Sequence, residues 1–334
     1  MYEDDHYESS IEDDKYADAM FEKEYSTDED RYDNFMYDHD NSIDKSSKAW
    51  LLNSERALDT LCLCGLRNRL SHGELEPLRS YQVLDNSNII HQRAVIDGTV
   101  EDITQSDLDV LRAVITAYIN THGYDAKNAD QPWPEDDDLL VVITPGQIRS
   151  RLLMNHYELP TERISRSLRR LAGIIVQGNY RVRSGTKAIA YPIQGSLFRL
   201  GVSITDSTKR VQEYALLFDT DWGRAFMHNV RSGNFVKVRD IPYGNLDNGA
   251  KQLFYISMTM TNREFYRGQG KLLELMNIKE KQNTRRGVER LKKYLNQLDG
   301  FGLITWWKEK EVYHINRRYN PVNGCMPGVS ELRQ

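Results

Sequence analysis

The chain has 334 residues, 40% hydrophobic and 28% charged, enough for two domains with their own cores plus extra segments. No run of about 18 apolar residues occurs, which excludes a membrane-spanning helix, and the first residues lack the basic-then-apolar order of a secretory signal. Three cysteines, Cys62, Cys64 and Cys325, suit a reducing cytosol better than a disulfide scaffold, so a cytoplasmic protein is expected.

The formal net charge of −5 conceals an asymmetry. Residues 1–45 hold 17 Asp/Glu and 4 Lys/Arg, which leaves 32 acids and 40 bases in 46–334. The body is basic, and that is an electrostatic footprint for a polyanionic partner. Segment 1–45 has no sustained helical or strand period and few aliphatic residues, so it is expected to be a disordered acidic tail. It reads as a solubilising arm, or as an arm that mimics DNA and competes for the basic faces, with Tyr2, Tyr7, Tyr16, Tyr25, Tyr32 and Tyr37 set among carboxylates.

Segment 46–94 reads as a helix plus connecting chain. Trp50, Leu51, Leu52, Ala57, Leu58 and Leu61 recur at near-helical spacing and predict a helix over 47–68. From Gly73 to Gly98 the chain reads as loop or short strand, with one alternating run around Tyr81–Leu84.

A first folded domain is expected over 95–205. Leu108, Leu111, Ile115 and Ile119 predict a helix from Asp107 to Asn120, with Ser106 as N-cap. Leu139–Ile143 reads as a strand. Thr144 caps a short helix opened by Pro145. Pro160 begins a further helix that Gly173 ends, with Ile164, Leu168 and Leu171 inward and Arg163, Arg166, Arg169 and Arg170 elsewhere. Two strand-like runs, Ile174–Val182 and Lys187–Ile193, then form a wing that carries Arg181, Arg183 and Lys187.

After a strand-rich connector over 206–245, the pattern recurs over 246–320, ahead of a tail at 321–334. Ala250–Met260 and Lys271–Asn277 predict two helices. A third, about Asn283 to Leu298, turns Val288, Leu291, Leu295 and Leu298 inward. Thr284, Arg285, Arg286, Glu289, Arg290, Lys292 and Lys293 occupy its remaining surface, and Glu289 is spaced to pair with Lys293. Leu303–Trp307 and Glu311–Ile315 close the copy as a hairpin, with Lys308, Lys310 and Arg317 as wing cations and one of Trp306 and Trp307 turned outward.

The fold class expected is α+β, two tandem winged helices behind a disordered acidic arm. In helix-turn-helix geometry a basic helix enters the major groove and the wing lies on the backbone. Arginine suits both tasks, since its planar fork grips a guanine edge or a phosphate through paired bonds. The expected DNA-binding residues are therefore the cations of these helices and wings, with Thr284 and Glu289.

The runs V-I-D-G-T-V-E-D-I-T-Q-S-D-L-D-V-L (95–111), L-L-F-D-T-D-W-G-R-A-F (216–226) and L-D-N-G-A-K-Q-L-F-Y-I-S (246–257) resemble TrfA-type plasmid replication initiators of the wider Rep family. The likeness covers roughly 95–318. It implies binding to direct origin repeats (iterons), opening of adjacent A·T-rich DNA and recruitment of host replication proteins, an initiator and a helicase. It also implies a homodimer through the first winged helix and a prokaryotic, nucleoid- or plasmid-associated protein. The long acidic arm departs from that pattern.

Short motifs also match other function classes. Arg67-Asn68-Arg69-Leu70-Ser71-His72 matches the R-N-x-x-x-H motif of HEPN ribonucleases, which would make Arg67 and His72 catalytic. Cys62, Cys64 and His72 fall short of a four-ligand zinc set. No phosphate-binding G-x-x-x-x-G-K-[ST] loop occurs, so neither enzyme activity nor a cofactor is expected. A winged-helix transcriptional regulator shares every feature except the arrangement of its DNA targets.

Overall fold

A computed structural model describes residues 51–55, 78–82, 88–125, 139–153, 159–184, 187–205, 210–239, 245–259, 263–276, 278 and 285–318. All lie in one compact unit, Ser47–Gln334. The acidic segment 1–45 is outside the described residues.

Five strands come first: β1 (Leu51–Glu55), β2 (Leu78–Gln82), β3 (Asn88–Gln92), β4 (Ala94–Ile96) and β5 (Thr99–Glu101). The helix expected over 47–68 is corrected at its start, because β1 pairs antiparallel with a late strand, Leu51 opposite Arg239. A short apolar run such as Leu51-Leu52 satisfies either periodicity, and an unpaired strand edge decides between them. Residues 56–77 lie outside the described set.

Helix α1 (Gln105–His122) begins two residues before the expected start. Its N-cap is Thr104 rather than Ser106, because Asp107 at the third helical position closes a capping box: its Oδ2 accepts from the Thr104 N–H at 2.8 Å. Strand β6 (Leu140–Ile143) and helix α2 (Pro145–Leu153) follow. Thr144 and Gln147 cap α2 reciprocally, the Gln147 N–H donating to Thr144 Oγ1 at 3.1 Å and the Thr144 N–H to Gln147 Oε1 at 2.9 Å. Helix α3 (Thr161–Gly173) starts after Pro160, and β7 (Ile175–Ser184) and β8 (Lys187–Ser196) form a long hairpin.

Strand β9 (Arg199–Ile204) ends the expected first domain, and β10 (Val211–Leu217), helix α4 (Asp221–Arg231) and β11 (Phe235–Arg239) occupy most of the expected connector. The remaining elements are α5 (Asn248–Thr259), β12 (Glu264–Gly268), α6 (Gln269–Leu275), α7 (Arg285–Gly300), β13 (Ile304–Glu309) and β14 (Val312–Arg317). The protein is thus mixed α/β, with seven helices among the described residues. None of them is long and apolar enough to cross a membrane.

One order occurs twice: helix, strand, helix, helix, strand, strand. The first run is α1-β6-α2-α3-β7-β8 and the second α5-β12-α6-α7-β13-β14. Their sheets differ. The second run closes on itself, order β12-β14-β13. In the first, β6 pairs outside the run with β10, and β7-β8 joins a four-stranded sheet β2-β3-β7-β8. The expected free wing is therefore partly corrected. Strand β3 covers Ile175–Gln177, while the rest of the hairpin runs beyond it.

Burial divides in the same way. One apolar cluster gathers residues from Ile103 to Phe235, including Trp222 and Phe226 of α4, and a second gathers residues from Leu246 to Ile315. The inward stripes of α3 (Ile164, Leu168, Leu171) and α7 (Leu291, Leu295, Leu298) fall where 3.6 periodicity puts them. Gly249 lets α5 and α7 approach closely, since a Cβ there would overlap the Tyr294 ring.

Candidate nucleic-acid interface

Helix α3 carries four arginines, and the structure treats them differently. Arg170 is buried, its side chain 2% exposed. Its Nε and Nη2 donate to the two oxygens of Asp107, Nε at 2.9 Å, and Nη1 donates to Glu101 Oε2 at 2.8 Å. The expected DNA contact at Arg170 is therefore corrected: three positions past Ser167 and one before Leu171, it falls on the inner face of the helix. Asp107 also accepts from the Thr104 hydroxyl at 3.0 Å, so one carboxylate both caps α1 and anchors α3.

Arg166 sits one turn earlier with a side chain 41% exposed, and it donates to the same Glu101 through Nε and Nη2. Burial alone would raise the Glu101 carboxyl, and the bonds from Arg166 and Arg170 reverse this, leaving it below the usual glutamate value. The Glu101 bond raises Arg166, whereas burial lowers Arg170 and the bonds and charges of Asp107 and Glu101 together more than restore it. Arg163 is half-buried and Arg169 exposed. The N-terminal hydroxyls of α3 face protein: Arg149 of α2 donates to Thr161 Oγ1 at 2.6 Å, and Ser165 hydrogen-bonds the Tyr214 hydroxyl at 2.5 Å.

On the β7-β8 hairpin, Arg181 is exposed and stands opposite Ala190. Arg183 and Lys187 lie in the strands near its tip, opposite Ala188 and Ser184 respectively.

Helix α7 is the more open basic surface. Arg286 and Lys292 are exposed, and Arg290 is half-buried. Arg285 donates to Glu289 at 3.0 Å across one turn, and Lys293 meets Asp247 at 2.9 Å. The expected Glu289–Lys293 pair is thus replaced by two others, and the Asp247 contact raises Lys293. Both replacement pairs are solvated and contribute only tenths of a kcal/mol. Thr284 lies outside the described residues.

The second hairpin separates its cations by strand parity. Arg317 is buried at 5% exposure, its Nη1 donating to the Met258 carbonyl at 3.4 Å, so the expected wing contact there is corrected. It shares its face of β14 with Tyr313 and Ile315, and that face is the core. Lys308 is held against α6, donating to Gln269 Oε1 at 2.8 Å. Lys310, at the turn with φ of 52°, is exposed. Trp307 is the outward tryptophan of the pair, 45% exposed and stacked on His314 at 4.8 Å.

Sequence reasoning missed Glu101, Asp107 and Arg149. Only the capping-box spacing of Thr104 and Asp107 offered a signal. The HEPN-like Arg67 and His72, with Cys62 and Cys64, lie outside the described residues.

The elements thus define a mixed α/β chain that presents a basic helix in each of two repeated runs. It is similar to a solved structure of domains 2 and 3 of RctB, in its selenomethionine derivative, at 12% identity and a TM-score of 0.45, covering 76% of this chain and 95% of that one. A second structure of RctB domains 2–3 gives 14% identity and a TM-score of 0.42, covering 78% and 96%. No family model matches the chain, and no curated protein does.

Proposed function

We propose that this chain is a sequence-specific double-stranded DNA-binding replication initiator, with winged-helix reading heads at α1–β8 and α5–β14. The observation that carries the reading is the repeated helix-strand-helix-helix-strand-strand order, with an arginine-rich third helix in both runs. In that geometry α3 offers Arg163 and Arg169, and α7 offers Arg285, Arg286, Arg290 and Lys292. Glu289 is placed among the α7 cations to accept from a cytosine amino group. Arg181 and Lys310 on the hairpins would meet phosphate.

The resemblance of 95–111, 216–226 and 246–257 to TrfA-type initiators supports the finer reading: direct repeats as target, opening of A·T-rich DNA, recruitment of host initiator and helicase, and a cytoplasmic, plasmid- or nucleoid-associated setting. A homodimer through the first head is supported by Leu140 and Val142, 46% and 53% exposed on β6. That strand pairs only with β10 among the described strands. Exposed apolar residues on a short edge strand suit pairing with a second copy.

The test is selection of fragments bound by the full chain from its source DNA, followed by sequencing. Direct repeats beside A·T-rich DNA are expected. A single promoter-like site would make the chain a transcriptional regulator, and no enrichment over bulk DNA would overturn DNA reading altogether.

A further inference from the structure

The two apolar clusters meet across a charged seam between α1 and α5. Arg112 of α1 donates to Asp109 Oδ1 at 2.8 Å, and its guanidinium lies 3.4 Å from the centroid of the Tyr255 ring on α5. Lys251 of α5 brings Nζ to 3.5 Å from Asp109 Oδ2. The side chains of Asp109, Arg112 and Lys251 are at most 2% exposed, and Tyr255 is buried beside them.

A buried ion cluster adds little net stability over an apolar contact of the same volume, because desolvation offsets the attraction. It differs in what it permits. Apolar surfaces can slide against each other at small cost, whereas each buried charge must keep its partner. The seam therefore selects one orientation of α1 on α5.

The contacts continue outward on both sides. Arg170 ties α3 to Asp107 of α1, and the Gly249–Tyr294 approach seats α7 on α5. We propose that this strut, α3-α1-α5-α7, fixes the spacing and rotational phase of the two DNA-reading helices. Asp109, Arg112, Lys251 and Tyr255 are then positioning residues for spacing specificity. The inference rests on the reading of α3 and α7 as the helices that enter DNA. With it, the chain accepts its two half-elements at one separation only.

Two measurements on the full chain test this. First, spin labels at Glu162→Cys on α3 and Asn296→Cys on α7, with Cys62, Cys64 and Cys325 replaced by serine, report the distance between the helices by pulsed electron resonance. A single narrow distribution is expected, broadened in Lys251→Met/Tyr255→Leu. That variant leaves Asp109 paired with Arg112. If it does not fold, Lys251→Met alone serves, with native circular dichroism as the check. A broad distribution in the parent, or an unchanged one in the folded variant, overturns the strut.

Second, the selected site is lengthened between its half-elements by about 5 bp, half a helical turn of ~10–10.5 bp. The parent should lose at least roughly tenfold in affinity, the size of a 1.4 kcal/mol penalty. The seam variant should lose less than about threefold. Equal losses would overturn the role in spacing. If no DNA is bound at all, the functional reading fails, while the distance measurement still decides the strut.

Discussion

Replacing Arg170 by leucine separates a buried structural arginine from a DNA-reading one. Breaking one partner out of a buried ion pair costs about 3–5 kcal/mol when the remaining charge is left uncompensated. Here the compensation is partial. Asp107 loses two bonds from Arg170 but keeps those from the Thr104 N–H and hydroxyl. Glu101 loses one and keeps Arg166. The cost therefore belongs near the lower end, about 3 kcal/mol. Hydrogen exchange followed by mass spectrometry reads this locally, and a loss of that size speeds exchange in α1 and α3 roughly a hundredfold. The exposed neighbour provides the control, since Arg169→Ala should stay within about 0.5 kcal/mol. If Arg170→Leu exchanged like the parent and instead lost DNA affinity, its guanidinium would face DNA, and the clamp on Asp107 would be wrong.

The clamp also has a pH signature. Because Glu101 is held below its ordinary value when folded, the unfolded chain takes up its proton first as pH falls. Its contribution is fully present above about pH 4.3, the unperturbed glutamate value, and is lost as pH drops through the folded value. Urea denaturation across that acidic range should show stability rising with pH, and Glu101→Gln should flatten the slope; an identical slope would remove Glu101 as its source. At Gly223 an added Cβ would lie 2.5 Å from the Leu197 carbonyl oxygen and 2.8 Å from the Phe218 carbonyl. Gly223→Ala should therefore lower thermal stability by about 1–3 kcal/mol despite alanine's better helix propensity, and a melting temperature at or above the parent's would contradict the packing. On α7, Arg286→Ala should cost about 1–3 kcal/mol at the selected site if the side chain reads a base. A uniform loss on all DNA, with a salt slope smaller by about one, would assign it to phosphate instead.

The sequence disclosed the helices best where one face is apolar. Ile164, Leu168 and Leu171 predict α3, Leu291, Leu295 and Leu298 predict α7, and both stripes are buried. Thr144-Pro145 placed the start of α2 because capping chemistry is local. What escaped reading depended on distant partners. Arg169 and Arg170 are adjacent arginines, yet one is exposed and the other buried: helical phase turns Arg170 inward, and the carboxylates of Glu101 and Asp107, more than sixty positions earlier, compensate its charge there. Strand parity separates Arg317 from the turn residue Lys310, but parity needs a register, and β13 runs to Glu309, two residues past the expected end at Trp307. On α1, Asp109 and Arg112 break the amphipathic pattern because a second helix covers the face they occupy. For β1, the partner that makes it a strand lies in β11.

The division of the apolar residues into two clusters bears on how this chain can drift over generations. A change of side-chain volume inside either cluster has to be absorbed by neighbours in that cluster, so each half can diverge at its own pace. The charged seam is different, because Asp109 and Arg112 belong to one half and Lys251 and Tyr255 to the other. Substitutions there succeed only as matched sets, and an exchange of halves between diverged relatives would keep its architecture only where those four positions still agree.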